Sequence, residues 1–200
     1  MTSAAAPHAD VGDTRRRAIL DAAVTVFIRF GFRKTSMEEV ARAAQVSRQG
    51  LYLHFSTKED LFREAVHHTM AQSLDAALVA LRDPARDLEQ KLLGAFDAMT
   101  GRYVGMMGAS ASDLVETASA LLGPILQEHE EKFADAVAKA IVTGKLAAAY
   151  KGVGLSARQL ADVFGAAARG LKYTCGSRAD FHDGMANVVR ALCAPLKGTR

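Results

Sequence analysis

Two neighbouring residues of this chain, Arg48 and Gln49, have side chains suited to reading the edges of base pairs. An arginine guanidinium can bridge O6 and N7 of guanine, and a glutamine amide can bridge N6 and N7 of adenine. Gly50 follows them, and its lack of a side chain permits close approach of the backbone to a partner. This succession suits contact with the bases of DNA, and an ordinary exposed helix start is the alternative explanation.

Polar groups follow this trio in the sequence. Tyr52 and His54 have polar tips that can reach a phosphate, and Lys58 places a cation in the first turn of a predicted helix, whose N-terminus favours anions. A structural explanation stands beside each of these roles, because the Tyr52 ring can pack in a core and His54 can lie on an ordinary surface. The residues alone leave both explanations open.

Short helices must position these side chains. A first helix is predicted from about Thr14 to Phe30, because its apolar residues recur every three or four positions. Gly31 then supplies the left-handed residue that ends many helices. Residues 36–39, Ser-Met-Glu-Glu, have the spacing of a capping box, which predicts that a second helix opens there or one residue earlier.

A third helix is predicted from Arg48 to about His54, with Ser47 as its N-cap. Because a helix this short is not stable alone in water, Leu51 and Phe55 are expected to anchor it. Two short helices joined by a tight turn behind a longer one form a helix-turn-helix unit. In such a unit the N-terminal end of the last helix meets base edges.

The stretch from Arg15 to Ala65 contains a distinctive set of residues, which are Gly31-Phe32, Thr35, the A-R-A-A-Q-V-S turn, Leu51-Tyr52, His54-Phe55 and Lys58-Glu59-Asp60-Leu61. With these residues it resembles the DNA-binding domain of tetracycline-repressor-like (TetR family) regulators. The family turn usually has Gly where this chain has Gln45, and a non-glycine residue adopts a left-handed turn at modest cost. Gln45 is therefore expected in that conformation.

The resemblance implies an all-α homodimer with an N-terminal tri-helical helix-turn-helix domain and an α-helical ligand-binding and dimerisation domain. On this basis we expect a flexible tail over 1–13, the DNA-binding domain over 14–60, and the effector-binding and dimerisation domain over 61–200. Implied base contacts are Arg48, Gln49 and Gly50. Implied phosphate contacts are Thr35, Ser47, Tyr52, His54 and Lys58. The arginines at 15–17 are either a solvated helix start or an arm that reaches the DNA backbone or minor groove.

The chain beyond Thr57, which is expected to cap a fourth helix, keeps the helical spacing of its apolar residues to the end. A loop is predicted over 105–112 and a linker over 147–155. Gly123-Pro124 predicts a break or a kink.

Two sets of residues in the second domain are candidates for binding. Methionine and aromatic side chains are expected to line a pocket for a small apolar effector, although residues at helical spacing also build ordinary cores; they are Phe96, Met99, Tyr103, Met106, Met107 and Phe133. By analogy with the family, the last two helices are expected to form a four-helix bundle with a second copy. The residues assigned to that interface are Leu160, Phe164, Leu171, Val188, Val189 and Leu192.

Other classes of protein are not indicated. No apolar run approaches the ~18 residues of a transmembrane helix, and the first residues lack the apolar region of a signal peptide. Two cysteines, Cys175 and Cys193, are too few for a disulfide framework, so a reducing, cytoplasmic location is expected. No metal-ligand spacing, catalytic constellation or cofactor motif is found, and we expect no metal, no cofactor and no enzyme activity.

The sequence therefore predicts a transcriptional regulator that binds a pseudo-palindromic operator in double-stranded DNA as a homodimer. A repressor released by a small-molecule effector is the leading form of this hypothesis. The alternative is a TetR-like DNA-binding or chromosome-organising scaffold without small-molecule input. The net charge of +3, from 25 Lys and Arg against 22 Asp and Glu, does not decide the matter.

Overall fold

A computed structural model describes residues 9–106 and 111–197, and the side chains of 12–106 and 113–197. Every regular element in these ranges is helical, as the sequence predicts. The α-helices are α1 (Ala9–Phe30), α2 (Met37–Ala43), α3 (Arg48–Tyr52), α4 (Lys58–Arg82), α5 (Leu88–Met99), α6 (Ala111–Thr143), α7 (Leu146–Ala149), α8 (Ala157–Thr174) and α9 (Arg178–Cys193). Short 3-10 helices cover Gly101–Tyr103, Lys151–Val153 and Ala194–Leu196.

The first helix begins earlier than predicted. Residues 9–13 of the expected flexible tail are already part of α1, and Asp13 accepts a hydrogen bond from Arg17 one turn later at 2.6 Å. Such i, i+4 pairs support a helix start, and the sequence interpretation gave them no weight. The rest of the expected tail, residues 1–8, lies outside the described residues.

Two other predicted interruptions are also helical. α6 runs through Pro124, so the expected break is absent. Proline removes the donor for the carbonyl four residues earlier, which belongs to Ala120, and Ala120 is exposed, so water can satisfy that oxygen. The expected linker over 147–155 contains most of α7 and the 3-10 helix Lys151–Val153.

The described residues form two compact units, and the division falls inside α4 after Thr69 and inside α6 after Gly123. The first unit holds residues 9–69 and 111–123, and the second holds 70–106 and 124–197. This differs from the boundary expected at residue 60, because α4 continues without interruption and the start of α6 belongs with α1 to α3.

The first unit has a small core centred on three phenylalanines. The ring of Phe27 lies 5.0 Å from that of Phe62 and 5.9 Å from that of Phe32, measured between centroids. Phe32 therefore folds back onto the last turn of α1, directly after Gly31, whose φ is 84°. Buried around these rings are Ile19, Leu20, Ala23, Val26, Met37, Val40, Ala41, Leu51, Phe55, Leu61 and Ala65.

The second unit has a larger, mainly aliphatic core. Phe96 of α5 packs edge-on against Phe133 of α6 with 5.1 Å between ring centroids, and it also contacts Phe164 of α8.

None of the helices in the described ranges combines the length and apolarity needed to span a lipid bilayer.

Candidate nucleic-acid interface

The second helix and the turn that follows it are fixed by local contacts. Ser36 accepts the backbone N–H of Glu39, and the Glu39 carboxylate accepts the backbone N–H of Ser36 at 2.7 Å, so the predicted capping box is confirmed. These hydrogen bonds hold the pKa of the Glu39 carboxyl below its usual value. Gln45 has a φ of 56°, which confirms the left-handed turn expected at the position where the family has Gly.

The third helix is short and is held at both ends. Ser47 caps it by accepting the backbone N–H of Gly50 at 2.9 Å, as predicted. Leu51 and Phe55 are buried and supply the anchors that a helix of this length needs. A Cβ atom added at Gly50 would lie 3.1 Å from the Ser47 hydroxyl oxygen, so the glycine also leaves room for the cap.

The residues predicted to read bases lie on the surface. Arg48 and Gln49 are both exposed in the first turn of α3. The Arg48 guanidinium carbon lies 5.8 Å from the centroid of the Tyr52 ring, and Tyr52 is 42% exposed. Stacking on the ring limits the freedom of the guanidinium while its donors stay accessible.

Lys58 has contacts that the sequence did not reveal. Its ammonium group donates hydrogen bonds to the carbonyl oxygens of Phe32 at 3.0 Å and Thr35 at 3.1 Å, and it lies over the Phe32 ring. An ammonium group has three donors, so one of them remains for a phosphate. Lys58 thus joins the start of α4 to the turn that precedes α2.

Thr35 is placed less favourably for a phosphate contact. Its side chain is buried, and its hydroxyl donates to the carbonyl oxygen of Gly31 at 2.7 Å. In this conformation the hydroxyl stabilises the turn after α1 and does not face solvent. In this conformation the Thr35 hydroxyl is therefore not available to a phosphate.

The N-terminal arginines lie within α1 and not in an extended arm. Arg16 pairs with Glu64 and stacks over the Phe55 ring, with 4.8 Å from the guanidinium carbon to the ring centroid. Arg17 pairs with Asp13. Both side chains are engaged inside the first unit, in agreement with the helix-start alternative and not with a reaching arm.

Two features of the first unit were missed by the sequence interpretation. Leu53 follows α3 and is 82% exposed, one helical turn beyond Gln49. Arg33 donates its backbone N–H to the Asp113 carboxylate at 3.0 Å, and its guanidinium pairs with Asp113 and Glu116. The spacing between Gln49 and Leu53 could have revealed the first feature, whereas no local pattern reveals a contact between residues 80 positions apart.

The comparisons with known proteins agree with this geometry. Residues 19–65 match the family described as "Bacterial regulatory proteins, tetR family". The similarity to this family therefore falls on the helix-turn-helix region. The match contains most of α1, all of α2 and α3, and the start of α4.

Curated proteins that are similar to this region are regulators. YfiR of Bacillus subtilis, an HTH-type transcriptional regulator, is 42% identical over 62 residues, which are 31% of this chain and 30% of that protein. BepR of Brucella suis, an HTH-type transcriptional repressor, is 32% identical over 93 residues, 44% of each chain. The chain thus spans less than half the length of these relatives.

The fold similarity extends further along the chain. A transcriptional regulator from Saccharomonospora viridis, solved in complex with choline, has a TM-score of 0.68 and 20% identity, and the match covers 91% of this chain and 96% of that one. At this identity the likeness establishes the fold of the chain and not its ligand.

The residues expected to bind an effector differ in burial. Phe96 and Phe133 are buried in the core of the second unit, and Met99 packs against it. The Tyr103 hydroxyl lies 2.5 Å from the Ser73 hydroxyl, whereas Met106 is exposed. Met107 lies outside the described residues. The prediction of an effector pocket stays untested.

Part of the expected dimer interface is internal. Leu160, Phe164 and Val189 are buried within their own unit and are not available to a second copy, which corrects the interface drawn from the sequence. An amphipathic helix turns its apolar stripe to its own core first. Half-buried Leu171, Val188 and Leu192 pack against that core. The exposed face of α8 carries Val163, Ala166, Gly170 and Tyr173.

Proposed function

We propose that this protein is a DNA-binding transcriptional regulator, and specifically a repressor that a small molecule releases from its operator. The observation that supports the proposal is the exposed start of α3, where Arg48 and Gln49 project from a helix anchored by buried Leu51. This helix enters the major groove, where the two side chains read base edges.

The surrounding polar groups contact phosphates in this proposal. The Ser47 hydroxyl accepts the Gly50 N–H and can still donate its own proton. Tyr52 and His54 offer their polar tips, and Lys58 offers its third donor. Gly50 allows the backbone to approach the groove. Phosphate contacts fix the position of the protein on the duplex, and base contacts determine which DNA sequence it recognises.

The proposed functional unit is a homodimer. Two copies of α3 reach successive major grooves about 34 Å apart on a pseudo-palindromic operator. The exposed face of α8, which carries Val163, Ala166, Gly170 and Tyr173, is the proposed contact with the second copy. Its small residues permit close approach of two helices. Val163→Glu is expected to give monomers in light scattering, whereas Val153→Glu, on an exposed 3-10 helix, is expected to leave the dimer intact.

The proposed effector is a small apolar compound bound by the second unit. Met99, Tyr103 and Met106 remain the candidates that are not fully buried in the core. α4 begins at Lys58 in the first unit and ends at Arg82 in the second, so it is the proposed lever. Release requires that the effector bind two conformations unequally.

Binding and release can be measured with labelled DNA. The first probe is the promoter next to the gene of the protein, with unrelated DNA of equal length as the reference, over a range of salt concentrations. Arg48→Ala is expected to lower affinity for the promoter by about 5- to 150-fold, since a bidentate contact contributes about 1–3 kcal/mol. Arg82→Ala, which removes an exposed arginine from the second unit, is the matched control. Equal affinity for both DNAs in the wild type contradicts the proposal.

A screen of small molecules tests the repressor form, with choline among the first compounds because it occupies the similar fold from Saccharomonospora viridis. The expected result is a compound that raises the unfolding temperature and releases the promoter. A protein that binds the promoter but responds to no compound is instead the scaffold without small-molecule input.

A further inference from the structure

The most exposed large apolar side chain among the described residues is Leu53, at 82%. By contrast, Leu51 and Phe55, which lie two positions away on either side, are both buried in the first unit. A single exposed leucine is common on protein surfaces and needs no explanation by itself. Leu53, however, lies beside Arg48 and Gln49, the residues proposed to read bases, so it lies where a contact with DNA is expected.

Leu53 continues the helix that carries Gln49. Its φ and ψ of −67° and −23° are helical, and its backbone N–H donates to the Gln49 carbonyl oxygen at 3.1 Å. Residues four apart on a helix share a face, and their side chains lean toward the N-terminus. Gln49 and Leu53 therefore form one exposed row on α3, next to the row formed by Arg48 and Tyr52.

This row places one polar side chain, Gln49, next to one apolar side chain, Leu53. Gln49 can bridge N6 and N7 of an adenine, and the C5 methyl of thymine is the apolar group that the major groove presents. One helical turn rises about 5.4 Å. Successive base pairs rise about 3.4 Å. Leu53 thus lies one to two base pairs from the base that Gln49 contacts.

We propose that Leu53 is a specificity-determining residue that contacts the C5 methyl group of a thymine in each half-site. This inference rests on the proposed function, because it requires α3 to lie in the major groove. A contact of Leu53 with the sugar-phosphate backbone is the competing arrangement, and it carries no preference for a methyl group.

The test uses an operator selected from random DNA with the wild-type protein. Each thymine is replaced singly by deoxyuridine, which removes the methyl group and leaves the Watson-Crick pair unchanged. Wild-type affinity is expected to fall about fourfold at one thymine per half-site, the loss corresponding to one buried methyl group. In Leu53→Ala that difference between thymine and uracil is expected to disappear, and in Leu53→Met it is expected to remain.

Two further variants separate this contact from others. Gln49→Ala is expected to keep the sensitivity to uracil while losing a preference at another position. Val153→Ala, at a site 71% exposed in the second unit, is expected to behave as the wild type.

The inference is overturned if no thymine is sensitive in the wild type, or if wild type and Leu53→Ala respond equally at every thymine. Failure of the proposed function looks different, since the wild type then selects no operator at all.

Discussion

The ammonium group of Lys58 donates a hydrogen bond to the carbonyl oxygen of Phe32 at 3.0 Å and lies 4.4 Å from the centroid of the Phe32 ring. This contact ties the first turn of α4 to the turn that follows α1. Lys58, which the sequence predicts only as a phosphate contact, therefore also stabilises the unit that presents α3.

Lys58→Ala is accordingly expected to have two effects. Loss of hydrogen bonds from a charged donor lowers the free energy of unfolding by about 1–3 kcal/mol. Loss of a phosphate contact weakens binding to all DNA sequences and reduces the slope of log affinity against log salt by about one. Urea denaturation and salt titrations measure the two effects separately. A lower stability with an unchanged salt slope assigns Lys58 to the structure alone.

Gln45 provides a test of the left-handed turn between α2 and α3. A left-handed φ costs a non-glycine residue about 1–2 kcal/mol, and glycine loses about 0.5–1 kcal/mol more in chain entropy. Gln45→Gly is therefore expected to raise the free energy of unfolding by up to about 1.5 kcal/mol. Ala44→Gly is the matched control, because Ala44 has a φ of −80°, and this variant is expected to lose stability. A loss in both variants contradicts the account of the turn.

Ser47 is expected to combine a capping role with contact to DNA. Removal of an N-cap hydroxyl costs about 1 kcal/mol. Ser177 caps α9 in the second unit by accepting the Asp180 N–H at 3.1 Å, so Ser177→Ala carries a similar structural cost. Only Ser47→Ala is expected to weaken DNA binding, as measured by fluorescence anisotropy. If both alanine variants bind DNA as the wild type does, Ser47 has no role beyond the cap.

The capping box of α2 predicts a pH dependence. Hydrogen bonds from Ser36 lower the folded-state pKa of Glu39 from its ordinary value of 4.5. The folded state favours the ionised carboxylate, so this stabilisation is present above pH 4.5 and is lost as pH falls through the lower folded-state pKa. The stability difference between wild type and Glu39→Ala is expected to shrink at acid pH. Glu38→Ala, in the same turn, is the control, and a constant difference for Glu39 contradicts the prediction.

Arg33 and Asp113 test the attachment of α6 to the first unit. Arg33→Ala keeps the backbone N–H that Asp113 accepts, whereas Asp113→Ala removes that bond and the ion pair together. Asp113→Ala is therefore expected to cost about 1 kcal/mol, and Arg33→Ala less, because the Arg33 side chain is exposed and an ion pair made by an exposed side chain contributes little. Equal losses in chemical denaturation show that the ion pair, and not the backbone bond, holds α6.

Local patterns were the reliable part of the sequence. The capping box at Ser36, the cap at Ser47 and the left-handed turn at Gln45 each depend on residues within a few positions, and the structure confirms all three. Predictions about which surface covers an apolar stripe were less accurate. Leu160 and Phe164 form an apolar stripe of α8, but the stripe alone does not say whether its own unit or a second copy covers it.

Contacts between distant positions could not be predicted. The internal bonds of Lys58 and the pairing of Arg33 with α6 arise from the tertiary fold and leave no periodic signal. Pro124 shows a different limit of prediction. Proline usually interrupts a helix, but here it lies within the long helix α6. Exposure of Leu53 could have been predicted, because Leu51 and Phe55 were the expected anchors and Leu53 lies four positions after Gln49, on the outer side of the same helix.

The central claim is that the start of α3 reads base pairs. Selection of binding sites from random DNA, carried out in parallel with the wild type and Gln49→Ala, tests it most directly. We expect the wild type to enrich a pseudo-palindrome, and Gln49→Ala to enrich the same sequence with relaxed preference at one or two positions per half-site. Identical preferences in the two proteins, or no enrichment by the wild type, would contradict the claim.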